Sequence, residues 1–195
     1  MMGDRPKINE RAVAELVARI GRTAYGGGVA EGLTPAQWTA LRYFSRANRF
    51  SRTVSGFAEF HATTRGTASQ TVNSLVNNGF LTRKRSEQDR RSVRFDLTEK
   101  SLALLARDPF ESLVVAAGEL SNTSRQVISR GLDRMLRVLA VRHGKRAFGM
   151  CPNCKYLRTG ICCDNNEPDY HCKLLDEPLT EPEIGQLCVN FVYSR

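Results

Sequence analysis

A mainly helical α+β fold is predicted, with one small β-ribbon and a short cysteine-rich extension at the C-terminus. Three observations predict it. Apolar residues recur at helical spacing through most of residues 8–142. Two short alternating segments, LTRKR and SVRFDL, flank a polar tip and read as a hairpin. All six cysteines lie between Cys151 and Cys188, and none precedes Met150. At 195 residues and 21.8 kDa the chain accommodates one ordinary domain, residues 1–146, and an appendage, residues 147–195.

The elements follow in order. NERAVAELVARIGRTAY sets Val13, Leu16, Val17 and Ile20 on one helical face. The glycines at 26–28 break it. A second helix opens with Thr34 as N-cap and Pro35 at its first position, and buries Trp38, Leu41 and Phe44. TVSGFAEFHA is a short helix with Val54, Phe57 and Ala58 inward. A brief turn leads into TTRGTASQTVNSLVNNGFL, whose inner face is Ala68, Val72, Leu75 and Val76, with Gly79 as C-cap. In the ribbon, Val93, Phe95 and Leu97 share a face, and SEQDRR forms the tip. Thr98 caps the next helix, Pro109 kinks or restarts it, and Ser121 opens a long helix striped by Val127, Ile128, Leu132, Met135, Leu136 and Leu139. A small domain cannot bury both that stripe and the first helix's own. Packing against a second subunit, to give a homodimer, buries both.

Charge indicates the partner. The chain carries +9 at pH 7, and 25 of its 29 basic but only 13 of its 20 acidic residues precede Cys151, giving +12 there and −3 after it. A basic body suits a polyanion. The outer face of the TTRGTASQ helix presents Arg65, Ser69, Gln70, Asn73 and Asn77 with no acid. Such a face offers hydrogen bonds without repelling phosphate. Two helices joined by a tight turn, the second polar and acid-free, make a helix-turn-helix. The following ribbon carries Arg83, Lys84, Arg85, Arg90, Arg91 and Arg94, so it reads as a wing that straddles the DNA backbone and reaches the minor groove. The fold is thus a winged helix-turn-helix with dimerisation helices from both ends.

From about Ile8 to Arg142 the chain resembles the MarR family of winged-helix transcription regulators, most specifically over TRGTASQTVNSLVNNGFLTRKRSEQDRRSVRFDLTEKS. The resemblance implies a dimer built from terminal helices on a pseudo-palindromic operator in double-stranded DNA. It places Thr67, Ser69, Gln70 and Asn73 in the major groove, where Gln70 and Asn73 have the amide geometry for adenine and Arg65 contacts phosphate or guanine. It also implies that Arg91 enters the minor groove, with Asp89 orienting the wing and Arg90 on phosphate. Gly66–Thr67–Ala68 departs from the pattern, since many relatives have Pro and a larger β-branched residue there.

The tail reads C-x2-C at Cys151 and Cys154, then Cys162–Cys163, Cys172 and Cys188. With Pro152 inside a tight turn, the first pair can aim two thiolates at one metal. A second zinc-type pair, a His-x3-5-His and a ferredoxin run are all missing. CPNCKY, CKLLDEPL and CVNF resemble, in order, the small cluster-binding subunits of benzylsuccinate synthase. That resemblance implies a [4Fe–4S] cluster on Cys151, Cys154, Cys172 and Cys188; zinc is the alternative, since four thiolates suit either. Cys162 and Cys163 are then alternative ligands, a redox pair or lining residues. His171 is a fallback ligand, whereas His61 and His143 read as structural.

Neither a membrane span nor a signal peptide is read, so the expected location is the cytoplasm, where clustered thiols bind metal more than they pair. The expected function is a transcription regulator, a repressor, whose operator binding responds to iron or redox state through the tail. Alternatives are a zinc-stapled regulator with a small-molecule effector and an electron-transfer or enzyme subunit. No nucleotide-binding glycine loop or acid–base constellation supports an enzyme.

Overall fold

The computed structural model describes residues 9–25, 30–85, 93–161 and 168–194. Helix α1 (Glu10–Tyr25) is followed by α2 (Pro35–Arg46), which opens on a capping box. The Thr34 side chain accepts from the Gln37 N–H while the Gln37 side chain accepts from the Thr34 N–H, so two orphan donors are satisfied. Thr53 caps α3 (Val54–Phe60), and Thr64 caps α4 (Arg65–Asn77). Helix α4 ends at Asn78, one residue before the expected cap. Gly79 follows at φ +72°, the left-handed conformation that lets the chain turn into the ribbon.

Strands β1 (Leu81–Arg85) and β2 (Val93–Leu97) pair antiparallel, Leu81 opposite Leu97 and Arg85 opposite Val93. Phe95 is buried and Leu97 half-buried, but Val93 is exposed. Its partner is Arg85, at the end of the ribbon far from the core residue Leu81, where no helix covers it. Thr98 caps α5 (Glu99–Leu105), the chain breaks around Pro109, and α6 (Glu111–Gly118) leads to α7 (Asn122–Arg142), capped by Ser121. Arg42 clamps this break to α2 by donating to both Asp108 carboxylate oxygens at 2.6 Å.

The core is aromatic. Tyr43, Phe44 and Phe57 pack edge-on or tilted, with ring centroids within 6.0 Å of one another and Leu41, Val72, Leu75 and Leu81 around them. Each fully buried side chain of this size stabilises the fold by ~1.5–3 kcal/mol. By contrast α1 leaves Val13, Leu16, Val17 and Ile20 exposed, and α7 leaves Val127, Ile128, Leu132, Leu136 and Leu139 exposed. Neither stripe is buried within one chain.

The tail has its own small architecture. A 3-10 turn (Cys151–Asn153) precedes a three-stranded antiparallel sheet, β3 (Leu157–Ile161), β4 (Pro168–Cys172) and β5 (Glu177–Leu179), and the short helix α8 (Glu181–Ile184). It docks on the loop between α2 and α3. Leu187 N–H donates to Arg46 O at 2.7 Å, Asn48 N–H to Leu187 O at 3.0 Å, and Val189 N–H to Ser51 Oγ at 2.9 Å. Arg49 grips the tail by donating to the Glu183 carboxylate and to Pro178 O at 2.7 Å.

Candidate nucleic-acid interface and cysteine site

Helix α4 presents Arg65, Thr67 and Gln70 exposed, with Ser69 and Asn73 half-buried beside them. The inner face, Ala68, Val72 and Leu75, is locked into the core, which fixes the outer face. Asn73 is held from two sides: Arg83 of β1 donates to its Oδ1, and its Nδ2 lies 3.5 Å from Ser69 Oγ. Sequence reasoning assigned Arg83 to the wing alone, yet it sets the Asn73 amide from a neighbouring element. Thr67 Oγ1 lies 2.9 Å from the capping Thr64 Oγ1, at the helix start.

Arg83, Lys84 and Arg85 are exposed along the ribbon. Asp96 ties the ribbon's root together, with Lys84 Nζ at 2.8 Å and Arg52 Nη1 at 3.0 Å. Burial would raise the Asp96 carboxyl, but these two cations outweigh it and hold the group below its ordinary range. Asp89, Arg90 and Arg91, expected at the wing tip, lie outside the described residues.

The cysteines come together through backbone pairing. Cys154 N–H donates to Cys151 O at 2.8 Å, closing the C-x2-C turn. The β3–β4 register puts Cys172 opposite Leu157, three positions beyond Cys154. An antiparallel bridge pairs Cys188 with Gly149, next to Cys151 in space, and another pairs Cys154 with Tyr193. Gly149 is required there because a Cβ would lie 2.7 Å from the Phe191 ring. Cys151, Cys154, Cys172 and Cys188 thus line one cavity with Asn48, Phe50, Tyr156, Leu175, Leu179 and Asn190. Cys162 and Cys163 lie outside the described residues. His171, next to Cys172 on β4, points the other way and sits 3.5 Å from Asp176, so it is not among the lining residues. His61 stacks on Phe57 at 5.4 Å. His143 caps α7, its backbone N–H bonded to Leu139 O.

The four thiols form no disulfide. Burial, reinforced by the neighbouring sulfurs of Cys188, Cys154 and Cys172, pushes the Cys151 thiol up to about 12. Burial also raises Cys188, opposed by hydrogen bonds from the Asn48 and Ser51 side chains and the Asn190 backbone. The cavity they line has room, about 20 Å³, for the centre of a water-sized body. Among the described residues no three His, Cys, Asp or Glu side chains stand arranged to hold one ion. The donor chemistry, four sulfurs and no carboxylate, fits zinc or iron–sulfur. Asn48, Phe50 and Ser51 come from the body, and no spacing in the sequence announces them.

Helix-turn-helix and basic ribbon together define a winged-helix fold. Residues 31–92 match the model of the MarR family. Among solved structures, the chain is similar to the transcriptional regulator BldR from Sulfolobus solfataricus (22% identity, TM-score 0.54, covering 68% of this chain and 99% of that one). It is similar also to Staphylococcus aureus MepR in a DNA complex (17%, TM-score 0.55, 69% and 99%) and to Streptococcus pneumoniae FabT in complex with DNA (22%, TM-score 0.51, 67% and 97%). These matches span nearly all of each neighbour but leave part of this chain outside. A comparison with curated proteins finds no match. No helix among the described residues is long and apolar enough to cross a membrane.

Proposed function

We propose that the protein is a cytoplasmic, dimeric transcription regulator, a repressor, that binds a pseudo-palindromic operator and is modulated by a metal group on Cys151, Cys154, Cys172 and Cys188. The observation that carries the DNA-binding part is the acid-free outer face of α4, set beside a basic ribbon on a winged-helix core. Two neighbours of the same fold are DNA complexes. Helix α4 enters the major groove, with Gln70 and Asn73 reading base edges and Arg65 on phosphate. Arg90 and Arg91, steadied by Asp89, extend the wing over backbone and minor groove. The exposed stripes of α1 and α7 pack on a second copy, which puts half-sites about one helical turn apart, ~10 bp.

For the tail, the expected group is a [4Fe–4S] cluster held by the four thiolates, supported by one cavity lined by all four sulfurs. Bound there, it would supply a centre that can be oxidised, reduced or lost. The chain's own part is to bring the four sulfurs together and to exclude water with Phe50, Leu175 and Leu179. Structural zinc is the second reading, since four thiolates suit either metal. Either metal must displace thiol protons, so uptake strengthens as pH rises. Two experiments test the proposal. Selection from a random duplex pool should return a two-fold symmetric site, and failure to enrich any sequence removes the regulator reading. Iron, sulfide and zinc measured after oxygen-free purification decide the metal, and a metal-free chain removes the cofactor reading.

A further inference from the structure

The backbone around Cys188 has its hydrogen-bond partners in the body as well as in the tail. Asn48 and Ser51, in the loop before the helix-turn-helix, are 1% and 0% exposed. Asn48 lines the cysteine cavity beside Cys188, and its backbone N–H donates to Leu187 O at 3.0 Å. Ser51 Oγ also accepts from Val189 N–H at 2.9 Å, so the loop is fastened on both sides of the ligand's own backbone. A metal-bound thiolate accepts hydrogen bonds and donates none. A buried amide in the same cavity, Asn48, is therefore the kind of neighbour such a ligand needs.

Ser51 Oγ donates to Asn48 Oδ1 at 2.7 Å, and the Ser51 backbone N–H donates to the same oxygen at 3.1 Å. Ser51 therefore sets the orientation of the Asn48 amide that lines the cysteine cavity.

From Ser51 the next residues reach the DNA-binding elements directly. Ser51 O accepts from Tyr43 OH at 2.6 Å. Arg52 O accepts from Phe95 N–H of β2 at 2.9 Å, and the Arg52 guanidinium holds Asp96 at 3.0 Å. Thr53 caps α3. There is no slack here: a Cβ on Gly56 of α3 would lie 2.6 Å from Ser51 O. The tail meets the body elsewhere too: Phe148 of the linker packs on Phe60, Arg146 lies 3.6 Å from Glu59, and Tyr193 OH donates to Asp133 Oδ1 of α7 at 2.9 Å, but none of these touches the wing or the helix-turn-helix turn as directly.

We infer that Ser51 and Asn48 are positioning residues for Cys188, and that the loop carrying them, residues 46–53, passes the state of the cysteine site to the wing and helix-turn-helix. This rests on the metal-site reading above. The test uses full-length protein as purified without oxygen, with the metal it carries, and the same protein stripped by chelator. Affinity for a duplex from the random-pool selection is measured in both states, together with metal per chain and its release rate to the chelator. Wild type should show a ratio of affinities between the two states of ~5-fold or more. Ser51→Ala should keep full metal, release it ~10-fold faster and move the ratio toward one. Arg52→Gln, outside the cysteine cavity, should keep the wild-type release rate and still move the ratio toward one. Wild-type ratios in both variants overturn the inference while the metal-site reading stands. A ratio of one in wild type overturns the inference and the sensing role together, and a wild type without metal overturns the site itself.

Discussion

Body and tail of this molecule are stabilised differently. The winged-helix body builds a continuous core from Leu33 through Leu104, centred on an aromatic cluster. In the tail, the buried apolar residues among those described are Cys151, Leu179, Cys188 and Phe191, and two of these are thiols. A segment of this size cannot offset its chain entropy with so little burial. Much of its stability has to come from the body it rests on. The lesson is one of dependence: the tail leans on Arg49, Asn48 and Ser51 of the body.

The contrast can be broken most severely at Cys188. Cys188→Ser should abolish metal retention and, since structural metal sites supply ~10 kcal/mol or more, leave the tail open to protease. The body's thermal transition should be preserved. Limited proteolysis with mass spectrometry reads this out, and a protease-resistant tail without metal would show that its fold is self-sufficient. The opposite break is Leu75→Ala, which removes a fully buried core side chain of α4 and should destabilise the body by ~2–5 kcal/mol in denaturant titration. Metal per chain should stay at the wild-type value under native conditions.

Smaller changes sharpen the comparison. Gln70→Ala should relax base preference at one position per half-site, with a loss of ~1–3 kcal/mol in operator affinity. Arg91→Ala should weaken binding to every sequence alike and lower the salt slope by roughly one unit per contact. A salt titration of wild type and variant checks it. Least in size is Arg49→Met, which should loosen docking by ~1–2 kcal/mol and raise hydrogen exchange in α8 and β5.

Acid should imitate that last variant. Burial would raise the Glu183 carboxyl, but the Thr180 backbone and Arg49 outweigh it and hold the group below its ordinary 4.5. A carboxyl lowered in the folded state stabilises above its unfolded value, and the stabilisation is lost as pH falls through the folded one. Exchange in α8 should therefore rise below pH 4.5 in wild type and much less in Arg49→Met.

The sequence by itself determined the elements and the chemistry on them. Caps at Thr34, Thr98 and Ser121 place helix starts because their hydroxyls compete for local N–H groups, and that competition is local. Helical period sets Ala68, Val72 and Leu75 inward and hence Gln70 outward. Six cysteines in one stretch give the donor type. Only the tertiary structure decided what lies beside what. Val93 is exposed because its strand outruns the core, which no alternation pattern records. Arg83 turns from a wing cation into the partner of Asn73 because β1 runs back along α4. Asn48 and Ser51 reach Cys188 across more than a hundred residues, joined by a parallel bridge between Ala47 and Leu187. Local propensity extends over a turn or two of chain, so a contact closed by such a loop leaves no period or spacing in the sequence to find it by.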